Sequence, residues 1–198
     1  MIGRRLPRSF YRRPVTEVAP DLLGRVLVRD LPDGTRLAVR LVETEAYRQD
    51  DAASHSFGGP TARNATMFGP PGHLYVYFTY GMHHCMNAVT GAPDDASAVL
   101  LRAGEPLLGV EDMRRLRGRH ALTELCGGPA RLCQALAVDR ALDGADLVRG
   151  HEVWIGAGSP SGGPIATTTR VGIRRETERA WRFLDASSPF VSTGARSG

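Results

Sequence analysis

The chain has 198 residues, 42 % of them hydrophobic and 23 % charged, which fits one ordinary soluble domain able to bury a core without staples. Its net charge of +4 favours an anionic partner without specifying one, and no apolar run approaches the ~20 residues of a membrane span. All 25 basic residues are arginine, so a P-loop lysine and a lysine Schiff base are excluded.

The arginine-rich stretch from Met1 to Arg13 lacks the apolar segment of a signal peptide and is expected to form a flexible basic arm, with one domain over residues 14–198. Thr16 is a candidate cap for a short helix running to Leu23, broken by Gly24. Strands are predicted over Arg25–Asp30 and Leu37–Ala46, joined by the turn residues Pro32, Asp33 and Gly34. Arg48–Gly72 is rich in Gly, Pro, Asp and Ser, and a loop of that length inside a domain is usually functional. A second hairpin follows from Leu74–Tyr80 and His84–Val89, with Tyr80 at its tip beside Gly81. Ala98–Gly104 reads as a buried strand, Gly109–Gly118 as a basic helix, and Pro129–Ala137 as a helix opened by proline. Short strands at Val153–Gly156 and Ile165–Val171 flank the SPSGG loop, and the chain closes on a short helix and the WRFL segment. Without internal repeats or alternating βαβ units, the fold class is α+β: a curved, mainly antiparallel sheet flanked by helices, with a protruding hairpin.

The chemistry concentrates between Val42 and Asn87, which hold four of the five tyrosines beside a carboxylate pair and a histidine. Flat rings gathered around an acid in a basic chain suit an enzyme acting on a flipped-out nucleobase. Glu43 and Glu45, one residue apart, share a face of a strand, and Tyr47 joins them if the strand continues. Glu-x-Glu commonly marks a solvated edge, but the preceding Arg-Leu-Val reads as buried, and burial raises a carboxyl pKa toward the range useful to a general base. Tyr75 is assigned to the core, whereas Tyr47 and Tyr77 are positioned to sandwich a base. His55, His73, His83, His84 and Cys85 invite a metal, but neighbours on a strand point oppositely, and the HxE and PCxxC elements of zinc deaminases are absent. The three cysteines form no CxxC pair and suit a reducing cytoplasm. Arg63 and Asn64 in the long loop, with Arg170, are candidate contacts to a DNA backbone.

Taken together, VETEAY, AASHSFGG, ARN, MFGPPGHLYVYFTYGMHHCMN, AVLLRAGEP, MRRLR, LCGGPARLCQAL, TRVGI and RFLDASSPFVS resemble the alkyladenine (3-methyladenine, or methylpurine) DNA glycosylases in order and spacing, from about Leu22 onward. The resemblance implies that Glu45 is the general base activating water, with Arg102 and Val171 helping to hold that water. It implies that Tyr47, His55 and Tyr77 line the base pocket, that Tyr80 intercalates where the base has left, and that Asn87 discriminates against the exocyclic amine of guanine. It further implies action on double-stranded DNA that contains damaged purines, associated with the nucleoid, without metal or organic cofactor; a monomer is expected because one pocket and one wedge suffice to engage one lesion. Expected substrates are 3-methyladenine and 7-methylguanine, extending to hypoxanthine and ethenoadenine. Phe57 stands where an arginine often follows His-Ser in such proteins, and His83-His84 replaces a more aromatic pair. A non-catalytic damaged-DNA-binding module is the main alternative, ahead of a formyl-group-handling domain and of an abasic-site lyase, which the missing lysine disfavours.

Overall fold

The computed structural model describes residues 1–79, 82–92, 95–160 and 163–192. Its frame is one antiparallel sheet built on two long strands, β2 (Arg36–Tyr47) and β5 (Ser97–Leu108). With β1 (Val26–Asp30), β3 (Leu74–Thr79), β4 (His83–Thr90) and β6 (Val153–Gly156), the order is β3-β4-β5-β2-β1-β6. β1 pairs with the first half of β2 through Arg40. The partner on that side then changes to β8 (Arg182–Asp185), which meets Glu43, Thr44 and Glu45 and is itself paired with β7 (Ile165–Thr168).

Strict alternation divides the sheet into two faces. Leu74, Val76, Met86, Ala88, Val99 and Leu101 point into the main core. There they meet Val15, Val18 and Ala19 of α2 (Val15–Asp21), Met113 of α3 (Val110–Arg117), Leu125 of α4 (Leu122–Leu125) and Leu132 of α5 (Pro129–Ala135). Tyr75, Val89 and Ala98 point the other way, into a smaller cluster with Met67 under the long loop.

β2 breaks this rule once, at the place that matters for function. Leu37, Val39 and Leu41 face the helices, yet beyond them it is Ala46 that joins the same core and Thr44 whose hydroxyl donates to the Ala19 carbonyl of α2 at 2.8 Å. The ladder to β5 shows why: Leu41 pairs with Gly104 and Glu43 with Ala103, leaving Val42 as an extra residue; Thr44 then pairs with Leu101, so Arg102 is the extra residue opposite. A one-residue bulge reverses the facing of everything after it. It turns Glu43, Glu45 and Tyr47 away from the helical core, all three still on one face as their spacing predicts.

Several local expectations are revised. The first thirteen residues are not a loose arm: α1 (Arg8–Tyr11) seats a fully buried Tyr11, Leu6 is buried, and Arg5 bridges to Gly156 and donates to the Gly150 carbonyl at 2.6 Å. Their apolar side chains and the Arg8–Asp146 pair at 2.6 Å outweigh the charge of the segment. α2 starts at Val15 with Pro14 before it, so Thr16 lies inside the helix and is not its cap. β7 stops at Thr168 rather than running to Val171, and residues 171–180 form bends and turns in place of a terminal helix. Tyr80 and Gly81 lie outside the described residues.

Candidate active site

Glu45 is fully buried. Its Oε1 accepts the Val171 backbone N–H at 2.8 Å and lies 3.3 Å from the Arg102 guanidinium, while its Oε2 accepts the Tyr47 hydroxyl at 2.8 Å. The Val171 N–H is available because β7 ends three residues earlier; inside a ladder it would be committed to a neighbouring strand. Gly172, at φ +79°, supplies the left-handed turn that follows.

Glu43, also fully buried, is a second hub that sequence reading left undecided. Its Oε1 accepts Arg102 Nε at 2.9 Å, Arg182 Nε at 2.8 Å and the Ser192 hydroxyl at 2.9 Å, and its Oε2 accepts the Ser192 N–H at 2.7 Å. Burial by itself would raise its pKa, but Arg102, the Ser192 N–H and Arg182 outweigh burial and hold it below the ordinary carboxylate value. Arg102 thus stands between two carboxylates, one fixing its Nε and the other within reach of its terminal nitrogen.

In front of Glu45 opens a cavity of about 500 Å³, lined by Tyr47, His55, Tyr77, Asn87, Arg102 and Val171, with Tyr75, Cys85, Met67 and Leu100 among its walls. Its size lies within the roughly 300–1,000 Å³ of small-ligand sites. Six of the seven described residues assigned to catalysis or the base pocket line it, and Glu45 lies directly behind three of them. The His55 ring packs edge-on against Tyr77 with centroids 4.5 Å apart and shares a 3.1 Å hydrogen bond with the Tyr75 hydroxyl. Burial first, then the Arg63 cation, lowers the His55 pKa, which keeps the imidazole neutral at pH 7. Burial likewise raises Tyr75 to about 12 and lifts Tyr77 further, and both stay protonated hydrogen-bond donors. Asn87 is anchored by its amide nitrogen to the Tyr75 carbonyl at 3.2 Å. Tyr75 therefore belongs both to the packed cluster and to the site, a double role that alternation alone does not reveal.

The long loop forms the remaining wall and is internally tied. Asn64 donates to the His55 and Gly59 carbonyls at 2.8 and 3.0 Å and accepts from the Thr61 N–H and hydroxyl. Ser56 donates to the Ala96 carbonyl at 2.7 Å. Arg170, with a fully buried side chain, is ion-paired to the equally buried Asp51 and donates to the Ala46 carbonyl at 3.1 Å. Its guanidinium carbon lies over the Tyr47 ring at 4.7 Å and over Trp181 at 5.4 Å. Asn64 and Arg170 are thus internal ties, not the surface contacts to DNA expected of them, because both side chains are buried and the Asn64 amide and the terminal nitrogens of Arg170 are bonded inside the fold. Arg63 remains exposed, donating to the Phe78 carbonyl at 3.3 Å with its guanidinium 5.7 Å from the Tyr77 ring centre. Among the described residues no group of three or more His, Cys, Asp or Glu side chains could hold a metal ion, and no helix is long and apolar enough to cross a membrane. Asp51, Arg182 and Ser192 escaped sequence reading; their partners lie 119–149 residues away and leave no local pattern.

Comparison with known proteins agrees with this geometry. The chain is 50 % identical over 188 residues to a protein of Carboxydothermus hydrogenoformans, covering 94 % of this chain and 98 % of the other. It is 49 % identical over 195 residues to one of Methanocella arvoryzae, covering 96 % of each. A relative from Streptomyces avermitilis is 49 % identical over 204 residues, covering 94 % of this chain and 90 % of the other. All three are provisionally named 3-methyladenine DNA glycosylase. Residues 9–189 match the profile of the methylpurine-DNA glycosylases, and with a buried, cation-flanked carboxylate behind an aromatic cavity, the chain belongs to that family of DNA glycosylases.

Proposed function

We propose that this protein hydrolyses the N-glycosidic bond of alkylated purines, 3-methyladenine and 7-methylguanine foremost, after the damaged nucleotide swings out of duplex DNA into the aromatic cavity. Hypoxanthine and ethenoadenine are further candidates; being neutral, they need protonation or stronger pocket contacts to leave. The observation that carries the reading is the Glu45 carboxylate, buried behind the cavity and fixed by Val171, Arg102 and Tyr47. In this reaction water attacks the anomeric carbon, the carbon–nitrogen bond breaks, and its electron pair leaves with the base, which an alkylated, cationic purine accepts readily. Glu45 takes the proton of the attacking water, and its negative charge stabilises the oxocarbenium-like transition state. Tyr47 and Tyr77 provide the stacking surfaces, the neutral His55 and the Asn87 side chain address the base edge, and Tyr80 fills the gap left in the duplex. One cavity serves one lesion, so a monomer suffices. The product is an intact abasic site, in keeping with a chain that offers no lysine nucleophile.

Single-turnover base release from alkylated DNA, scored by alkaline cleavage at abasic sites, tests the reading. Wild-type protein should release bases without strand breakage before alkali. Glu45→Gln should be slower by about 10²–10⁴-fold, the range for loss of a positioned base. Binding of lesion DNA with no release by the wild type would make the protein a damage-binding module instead.

A further inference from the structure

With Asn64 and Arg170 turned inward, the cavity mouth needs another source of positive charge to hold a flipped nucleotide. The loop after Val171 supplies one. Arg174 and Arg175 both line the cavity and are both exposed, which places them at its mouth. Among the described residues neither makes a hydrogen bond or an ion pair, whereas the nearby Glu176 carboxylate is taken by Arg179 at 2.7 Å.

The loop is fixed at both ends. Val171 N–H is bonded to Glu45, and the Glu176 carbonyl accepts Arg170 Nη2 at 3.3 Å, with Arg170 itself locked to Asp51. Two unneutralised guanidinium groups are therefore carried on a four-residue span whose position is set by the catalytic carboxylate. The long loop contributes the exposed Arg63, whose guanidinium lies 5.7 Å from the ring centre of the cavity-lining Tyr77.

We propose that Arg174 and Arg175 form a phosphate clamp for the phosphodiester groups flanking the extruded nucleotide. The inference rests on the glycosylase reading above. When a base enters the cavity, its sugar and adjoining phosphates must lie at the mouth, where these arginines stand. The guanidinium fork suits phosphate oxygens, and the clamp holds the backbone without reading sequence. Holding the extruded backbone here offsets part of the cost of unstacking and sets the anomeric carbon against Glu45.

The test is binding to a short duplex with one tetrahydrofuran abasic analogue, measured by fluorescence anisotropy across a salt series, for wild type, Arg174→Ala/Arg175→Ala and Arg174→Lys/Arg175→Lys. Each lost phosphate contact removes about 0.9 from the slope of log affinity against log salt, so the alanine pair should flatten it by about 2. The lysine pair should restore the slope, since a point charge suffices for counterion release, and matched melting curves would exclude misfolding. A duplex with methylphosphonates on the two phosphates flanking the lesion locates the contact: it should weaken wild type and leave the alanine pair little changed. An unchanged slope, or equal weakening of both proteins by the neutral linkages, overturns the clamp. Base release by wild type, run in parallel, is read separately. Release with an unchanged slope sinks the clamp alone, and no release with a flattened slope leaves a phosphate-binding face without the hydrolytic role.

Discussion

Glu43→Gln is the perturbation whose outcome the structure fixes most tightly. The substitution keeps shape and removes one charge from a fully buried cluster in which two arginines and Ser192 converge on one carboxylate. The glutamine oxygen can retain two of the four donated bonds, but its amide nitrogen is a donor set among donors. Arg102 keeps Glu45 at 3.3 Å, whereas Arg182 keeps only a long 3.4 Å bond to Thr168, and its Nη2 already has no partner. Removing one partner of a buried pair costs about 3–5 kcal/mol. For a chain of this size each kcal/mol moves the melting temperature by about 2–4 °C, so a fall of roughly 6–20 °C is expected by calorimetry at pH 7. The sign with pH is also fixed. Glu43 titrates lower in the folded chain than its ordinary value of 4.5. Its contribution is therefore complete above that value and disappears as pH falls through the lower folded pKa. The gap between wild type and variant should be constant near neutrality and close on acidification. A variant melting within about 2 °C of wild type at pH 7, or a gap that widens in acid, would refute the hub.

Tyr47→Phe keeps the ring and loses the hydroxyl bond to Glu45; single-turnover release should slow about tenfold to hundredfold with lesion-DNA affinity nearly unchanged, and an unaltered rate would remove that hydroxyl from the mechanism. Tyr77→Ala should weaken binding of lesion-bearing duplex by about 1–3 kcal/mol and of undamaged duplex much less, measured by anisotropy on both. Asp51→Ala strands the buried Arg170 charge between Tyr47 and Trp181 and should cost about 3–5 kcal/mol in denaturant melts. Adding Arg170→Met should recover part of that loss, and simple additivity would show the two residues to be uncoupled. Deleting Val42 should abolish cooperative melting while Val42→Ala costs roughly 1–3 kcal/mol, because the deletion turns either Glu43 and Glu45 or the preceding leucines to the wrong face; a deletion variant that melts like wild type would show that the bulge does not set the facing.

Much of this architecture is legible locally. The two hairpins, the strand at residues 98–104, the helix bounded by Gly109 and Gly118 and the helix opened by Pro129 announce themselves through alternation, turn residues and end signals. The shared face of Glu43, Glu45 and Tyr47 is also a local property. What stayed hidden is long-range or irregular. Nothing in the residues around Val42 marks a bulge, and a scan of β2 as one strand places Leu41 and Glu43 on the same face when they lie on opposite ones. Arg170 and Asn64 have the chemistry of phosphate contacts, and only the fold shows that Asp51, 119 residues from Arg170, and the carbonyls of the loop consume them. Trp181-Arg182-Phe183-Leu184 could not be assigned to β8 from its own residues, since its partner Glu43–Glu45 segment lies far back in the chain.

The Asp51–Arg170 tie has a consequence for how damage is told from normal DNA. It joins the loop that carries His55 to the loop that carries Val171, passing behind the Tyr47 ring. Two segments that line the cavity are therefore tied together through a buried ion pair. Under the function proposed above, such a receptacle would select by fit and by arrival: a purine that leaves its stack easily presents itself often, and one whose edge clashes with Asn87 would return to the helix. On that reading discrimination is shared between the weakness of the damaged duplex and the rigidity of the cavity.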